Sequence, residues 1–353
     1  MGVTERLVEA LVHSDAALEG PQLRREIIRI AAVEAPLAGD TETQQVVDAL
    51  SGLGPIEFLL RDPEVSDVLV NGPGEIWVER SGSLRRTDVA FSDDAAIVAA
   101  VERVVAPLGL RLDRSSPTVD ARLADGSRLH AIVPPAAVDG PIVAVRRFTE
   151  AVTDLAELEK EGSITRAQVQ FLADAVRSKR NVLVSGGTGA GKTTLLNLLS
   201  KAIPSSERVV SVEDAAELNL SGHVVRLESR PPNSEGAGEI TVQALVRHAL
   251  RLRPDRIIVG EVRGPEALDM IQAMTTGHDG SMSTVHASDP HQALLRLETL
   301  ALSGDRRVSE STLRKQLWGA IDVVVQVHRS GGKRRLTAIV ETSEDGELTP
   351  APC

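Results

Sequence analysis

The stretch VLVSGGTGAGKTTLL, residues 182–196, restricts the fold of this chain more than any other. The run VLVS suits a buried strand and TTLLNLLSKAI suits a helix, and between them stand Gly186, Gly187, Gly189 and Gly191, then Lys192 and Thr193. That is G-x-x-x-x-G-K-[ST] in full, in the strand–loop–helix order the motif requires. The C-terminal half repeats the alternation. Short apolar runs at 182–185 (VLVS), 209–212 (VVSV), 256–260 (RIIVG), 281–285 (SMSTV) and 322–327 (DVVVQV) are separated by helical segments. Runs this short and apolar on both sides predict central strands of a parallel sheet covered by helices. The class is α/β, and residues 329–353 read as a peripheral strand and an acidic tail.

The loop also dictates a chemistry. Glycines let the backbone N–H groups of Gly186, Gly187, Thr188, Gly189, Ala190, Gly191, Lys192, Thr193 and Thr194 turn around phosphate oxygens, and a helix N-terminus adds positive potential. Lys192 is expected to reach the β/γ-phosphates and the Thr193 hydroxyl to bind Mg²⁺, so ATP and Mg²⁺ are the expected ligands. A chance glycine turn is the alternative, and the ordered strand, loop and helix argue against it.

Further polar clusters follow the other strands. In RPDRIIVGEVRG (253–264), Glu261 stands immediately beyond an apolar run, where open α/β sheets bind ligands, and is expected to hold the hydration shell of Mg²⁺. In VVSVEDAAEL (209–218), Glu213 is nearest the strand end and is the candidate to orient or deprotonate water; Asp214 reads as a cap for a following helix. His278 and His286 bracket one short strand and suggest a sensor of the γ-phosphate, although a structural role is common for single histidines. Arg247, Arg251, Arg253 and Arg256 crowd the approach to Glu261, with ion pairing as the alternative. Arg122, Arg128, Arg146 and Arg147 flank strand and hairpin ends further upstream, and composition does not select among them.

Three domains are predicted. Residues 1–50 have helical spacing of Leu and Ile; the two glycines and proline of SGLGPIE (51–57) break it. Residues 51–149 read as a small α/β domain. It has strands around an Asn-Gly-Pro-Gly turn, a helix capped by Ser92 or Asp93 with Ile97, Val101 and Val105 on one stripe, and an Asp-Gly hairpin at 125–126. Residues 150–353 form the phosphate-loop domain.

Composition narrows the partners. The net charge is −11 and aromatics number two Trp and four Phe with no Tyr, which argues against a grip on nucleic acid. The single cysteine, Cys353, excludes a disulfide framework within the chain or a cysteine-based metal site. The acids of MGVTERLVEALVHSD replace the apolar run of a signal peptide, and no stretch approaches 18 apolar residues, so the expected location is cytoplasmic.

The phosphate loop, VEDAAEL, RPDRIIVGEVRG and GHDGSMSTVHA resemble, in order and spacing, the Walker A, Asp box, Walker B and His box of the secretion-superfamily ATPases of type II and type IV secretion and type IV pili. GPIEFLLRDPEVSDVLVNGPGEIWVER, SSPTVDARLADGSRLHAIVPP and VVRLESRPPNSEGAGEITVQALVRHALRLRPDR resemble its CpaF/TadA-like branch, the tight-adherence (Flp) pilus assembly ATPases. The resemblance spans about residues 50–330. Two departures stand out: Ser288 replaces a usual Asn, and the four-cysteine zinc motif of many pilus-extension motors is absent. The resemblance implies a RecA-like motor domain with a smaller N-terminal α/β domain and an N-terminal helical extension. It also implies a homohexameric ring and a polytopic inner-membrane platform as partners, and a peripheral place on the cytoplasmic membrane face. By the same resemblance, Arg128 of DGSR and Arg146 of AVRRF touch the γ-phosphate; Glu213 and Glu261 are the Asp-box and Walker B glutamates; His278 and His286 match the His box. A motor for pilus assembly or protein secretion is the resulting expectation. The rival readings are a nucleic-acid translocase, which the acidity opposes, and a non-hydrolysing scaffold, which Lys192, Glu213 and Glu261 together oppose.

Overall fold

Valines and isoleucines at alternate positions set the first sheet. In β1 (Val65–Val70) and β2 (Ile76–Arg80), Val68, Val70, Ile76 and Val78 turn one face inward while their neighbours stay half-exposed. The computed structural model describes residues 39–80, 82–147, 154–232, 236–304, 308–330, 333–343 and 345–353, with 25, 26, 28–30 and 33. Most of the expected helical extension, residues 1–50, lies outside the described residues; its last stretch is the helix α1 (Asp40–Ser51). The chain divides into two compact units, Met1–Thr149 and Glu150–Cys353.

In the first unit a short helix α2 (Glu57–Arg61) precedes β1, and β3 (Ser83–Arg86) follows β2. Helix α3 (Asp94–Val105) is opened by Asp93, whose side chain accepts from Ala96 N at 2.8 Å, and lays Ile97, Val101 and Val105 into the core. Strands β4 (Thr118–Arg122), β5 (Arg128–Ile132) and β6 (Ile142–Arg146) complete an antiparallel sheet of order β3-β2-β1-β6-β5-β4. Leu129, Ala131, Val143 and Val145 face the helix; Arg128 and Arg146 take the alternate positions.

The second unit opens with α4 (Leu155–Lys160) and α5 (Arg166–Arg177), the latter started by a Thr165–Gln168 capping box. Its strands are β7 (Val182–Gly186), β8 (Arg208–Glu213), β9 (His223–Glu228), β10 (Arg256–Val262), β11 (Met282–His286), β12 (Val323–Ser330), β13 (Lys333–Thr342) and β14 (Leu348–Pro350). They lie in the order β14-β13-β12-β7-β11-β10-β8-β9, and the six from β12 to β9 run parallel. The helices are α6 (Lys192–Ser200), α7 (Val242–Ala249), α8 (Glu266–Thr275), α9 (Pro290–Leu302) and α10 (Glu310–Ala320). Residues alternate between two cores. Val182 and Val184 pack with α5 and α6 on one face, while Leu183, Val210 and Val212 pack with α7 to α10 on the other. Two-sided burial is why these runs are apolar at every position.

Three expectations change. No helix follows β8, so Asp214 caps nothing; its Oδ1 accepts from Ser229 Oγ at 2.8 Å instead. The final segment is a ten-residue strand, β13, antiparallel to β12 and followed by β14, not a tail. Glu261 lies inside β10, because that strand runs to Val262.

Candidate functional site

The loop is shaped by its glycines. β7 ends at Gly186, where an added Cβ would stand 2.5 Å from Val327 O, so any side chain there would push β12 away. Gly189 (φ 67°) and Gly191 (φ 95°) take left-handed conformations, and Gly191 is the residue before α6. No side chain caps the first turn of α6, so the helix presents backbone N–H groups at this end. Thr193 and Thr194 are half-buried in the same turn. Lys192 is only 8% exposed; its Nζ donates to Gly187 O at 3.2 Å and stands 4.0 Å from Glu261 Oε1. Burial pushes this amine below its ordinary pKa, while Glu261 pulls the other way.

Glu261 reaches this place through a bulge. Three residues from Val259 to Val262 on β10 match two from Ser283 to Val285 on β11, and the extra residue re-aims the strand end. The neighbouring Gly260 carbonyl accepts from the buried Thr284 Oγ1 at 2.7 Å, which pins the bulge. Glu261 Oε2 accepts from Arg263 at 2.7 Å, and the same guanidinium lies 3.6 Å from Asp214.

Glu213 closes β8 at 2% exposure. Its Oε2 accepts from the backbone N–H groups of Glu217 (2.7 Å) and Leu218 (2.8 Å), which fixes the carboxylate, while Oε1 is buried with no hydrogen-bond partner among the described residues. Burial raises the carboxyl pKa above its usual range, and the two backbone bonds offset this only in part. A buried acceptor that is held but unsatisfied on one oxygen is suited to take a proton.

His286 ends β11 opposite Gly186 of β7, so it lies beside the start of the loop and is exposed. His278 precedes the same strand. Its carbonyl accepts from Ser281 Oγ at 2.7 Å, and its Nδ1 is buried without a partner among the described residues. A strand of five residues, about 17 Å, separates the two ends. The structure thus brings His286 to the loop of its own chain and keeps His278 at the opposite sheet edge.

The arginines before Glu261 do not converge on it. Arg247 pairs with Asp269 at 2.7 Å. Arg256, wholly buried, opens β10 at its far end, where it binds Glu207 at 2.5 Å and Val176 O at 2.7 Å. Arg251 and Arg253 are exposed. Arg263 is the guanidinium at the carboxylate, and its place two residues after Glu261 in GEVRG was the available signal. In the first unit, Arg122, Arg128 and Arg146 form one cross-strand row ending on Asp67, with Arg146 Nε donating to Asp67 Oδ1 at 2.9 Å. Like charges set directly opposite destabilise a sheet, which marks the row as built for something other than stability.

The parallel strands thus deliver Gly186, Glu213, Glu261 and His286 to one edge, as open α/β sheets do for ligands. Residues 49–336 match the family described as type II/IV secretion system protein. A putative conjugal transfer protein of Mycobacterium tuberculosis H37Rv is 42% identical over 315 residues, covering 86% of this chain and 89% of the relative. Type IV secretion system protein PtlH of Bordetella pertussis is 33% identical over 323 residues, covering 82% and 92%. The X-ray structure of the Legionella pneumophila ATPase DotB shares the fold at a TM-score of 0.55 and 20% identity, covering 80% of this chain and 78% of that one. The chain's two units thus have the architecture of a RecA-like motor domain with a smaller N-terminal domain. No helix among the described residues is long and apolar enough to cross a membrane.

Proposed function

This chain belongs to the type II/IV secretion system ATPase family, and from that premise we propose that it is an ATP-hydrolysing, homohexameric motor for pilus assembly or protein export. The sequence runs shared with the CpaF/TadA-like branch favour a tight-adherence pilus system, with a polytopic membrane platform as partner at the cytoplasmic face. The observation that carries the reading is the set of ionised groups at one sheet edge: Lys192 inside the loop, Glu261 4.0 Å away, and Glu213 buried with one oxygen unsatisfied.

The loop amides and Lys192 hold the β- and γ-phosphates. Thr193 and Glu261 are the residues to hold Mg²⁺. Among the described residues no three His, Cys, Asp or Glu cluster for a metal, so one hydroxyl, one carboxylate and the phosphates suit this hard cation. Mg²⁺ supplies positive charge against the phosphate oxygens. Arg263 fixes the Glu261 carboxylate. Water attacks the γ-phosphorus as the bond to the β–γ bridging oxygen breaks, and its proton passes to Glu213 Oε1. His286 senses the γ-phosphate from the end of β11, and His278 serves the His box from its other end. Arg128 and Arg146 supply guanidiniums that stabilise charge on the γ-phosphate, the small domain (51–149) moving relative to the motor domain (150–353) during the cycle.

The test is phosphate release by purified protein with light scattering alongside. Wild type should hydrolyse ATP and form hexamers with a non-hydrolysable analogue. Glu261→Gln should bind the nucleotide yet hydrolyse it about 10²–10³-fold more slowly, as the loss of one electrostatic group at a dry site does. A strict monomer at every concentration, or normal turnover by Glu261→Gln, would overturn the reading.

A further inference from the structure

Beyond β7 the neighbouring strand β12 continues: Val327 pairs with Gly186, and Arg329 follows two residues later. Arg329 pairs directly with Arg334 across the β12–β13 hairpin. Both reach the phosphate loop. A Cβ on Gly189 would stand 3.1 Å from Arg329 Nη1, and one on Gly191 would stand 3.1 Å from Arg334 Cδ and 3.8 Å from its Nε. The two glycines therefore do more than permit a left-handed turn: their missing side chains leave the space that the arginines fill.

Two guanidiniums set opposite each other repel, and Lys192 adds a third positive charge in the same loop. In a chain of net charge −11, such a concentration is an electrostatic cost for the unliganded fold and a gain only with a polyanion present. The guanidinium fork matches phosphate oxygens in pairs, which a lysine cannot do. Loop amides of this motif cradle the α- and β-phosphates, and Gly189 and Gly191 belong to that stretch.

We propose that Arg329 and Arg334 are nucleotide-binding residues supplied by the β12–β13 hairpin of the same chain, gripping the α- and β-phosphates over Gly189 and Gly191. The proposal rests on the phosphate loop being the nucleotide site. It requires ADP and ATP to feel the two arginines equally, because both nucleotides carry those phosphates.

Isothermal titration of the full chain with ADP and with a non-hydrolysable ATP analogue decides it. Arg329→Ala and Arg334→Ala should each weaken both ligands about tenfold, with unliganded melting temperatures not lowered. Arg→Lys at either position should recover part of the loss, and the double Ala variant should show a shallower salt dependence of Kd. Arg335→Ala, on the opposite face of β13, should bind as wild type. Unchanged affinity in both Ala variants, while Lys192→Ala loses binding, overturns the proposal and leaves the phosphate-loop reading intact. Loss confined to the ATP analogue also overturns it. Unchanged binding by Lys192→Ala would instead sink the nucleotide reading itself.

Discussion

A Cβ on Gly260 would stand 2.9 Å from Glu213 Cγ and 3.5 Å from its Oε2, so the bare backbone of β10 sets where the carboxylate of β8 can lie. The carboxylate cannot swing aside without breaking its bonds to Glu217 N and Leu218 N. Gly260→Ala should therefore cost about 1–3 kcal/mol of stability by overpacking. It should also lower kcat at least about tenfold while nucleotide affinity stays near wild type. Calorimetric melting and steady-state kinetics on one preparation test both parts; wild-type kcat would mean the glycine is not needed to seat Glu213.

Lys192 carries a charge that the unliganded fold disfavours. Its amine pKa lies below the unfolded value of 10.5, so the folded state loses the proton first, and unliganded stability rises with pH as the amine neutralises in that window. Lys192→Met should remove this pH dependence and melt higher than wild type at neutral pH without nucleotide. Each kcal/mol gained is worth about 2–4 °C in a domain of this size. Nucleotide should raise the melting temperature of wild type and leave the variant unmoved. A variant that melts lower would show the lysine to be structural.

Glu213 titrates in the opposite sense. Burial holds its carboxyl above the reference value of 4.5, so the ionised form needed to accept a proton is populated only as pH rises through that higher value. The rate should climb on an acid limb displaced upward from an ordinary glutamate. Over the same window stability should fall with pH, because the unfolded state releases its proton first. Glu213→Gln should abolish both trends and slow hydrolysis about 10²–10⁴-fold. A pH–kcat profile and a pH–melting profile of the two proteins read this directly.

The arginine row of the first unit gives a separate expectation. Arg128→Ala and Arg146→Ala should leave nucleotide binding largely intact and reduce turnover roughly 10³-fold, the scale of guanidiniums acting on a transferring phosphate. Arg128→Ala should also relieve repulsion with Arg122 and Arg146, and so should not lower the melting temperature. Unchanged turnover in both variants would remove them from the site.

Much of the motor domain was legible because its signals are local. Val182, Val184 and Val209 against Leu183, Val210 and Val212 read as two-sided strands from their neighbours alone. Asp93 as a cap and Gly126 in a left-handed hairpin turn followed from short-range chemistry. What escaped depends on partners far along the chain. Asp214 looks like a cap until Ser229, fifteen residues on, claims it. Arg256 looks poised for Glu261, yet a strand length separates them and Glu207 binds it. Arg329 and Arg334 lie in a segment with no motif, and only the register of β12 on β7 brings them over the loop.

The margins of the large sheet have a bearing on how copies meet. On one side the last strand is β14, three residues ending in Pro350, which has no N–H to offer a neighbour. On the other, β9 is half-exposed and bears His223, Arg226 and Glu228 along six residues. Short, charged or proline-ended borders resist being continued by another chain. Subunits that gather around a common axis must therefore abut through side chains, and each can shift against its neighbour without unzipping a ladder of backbone bonds.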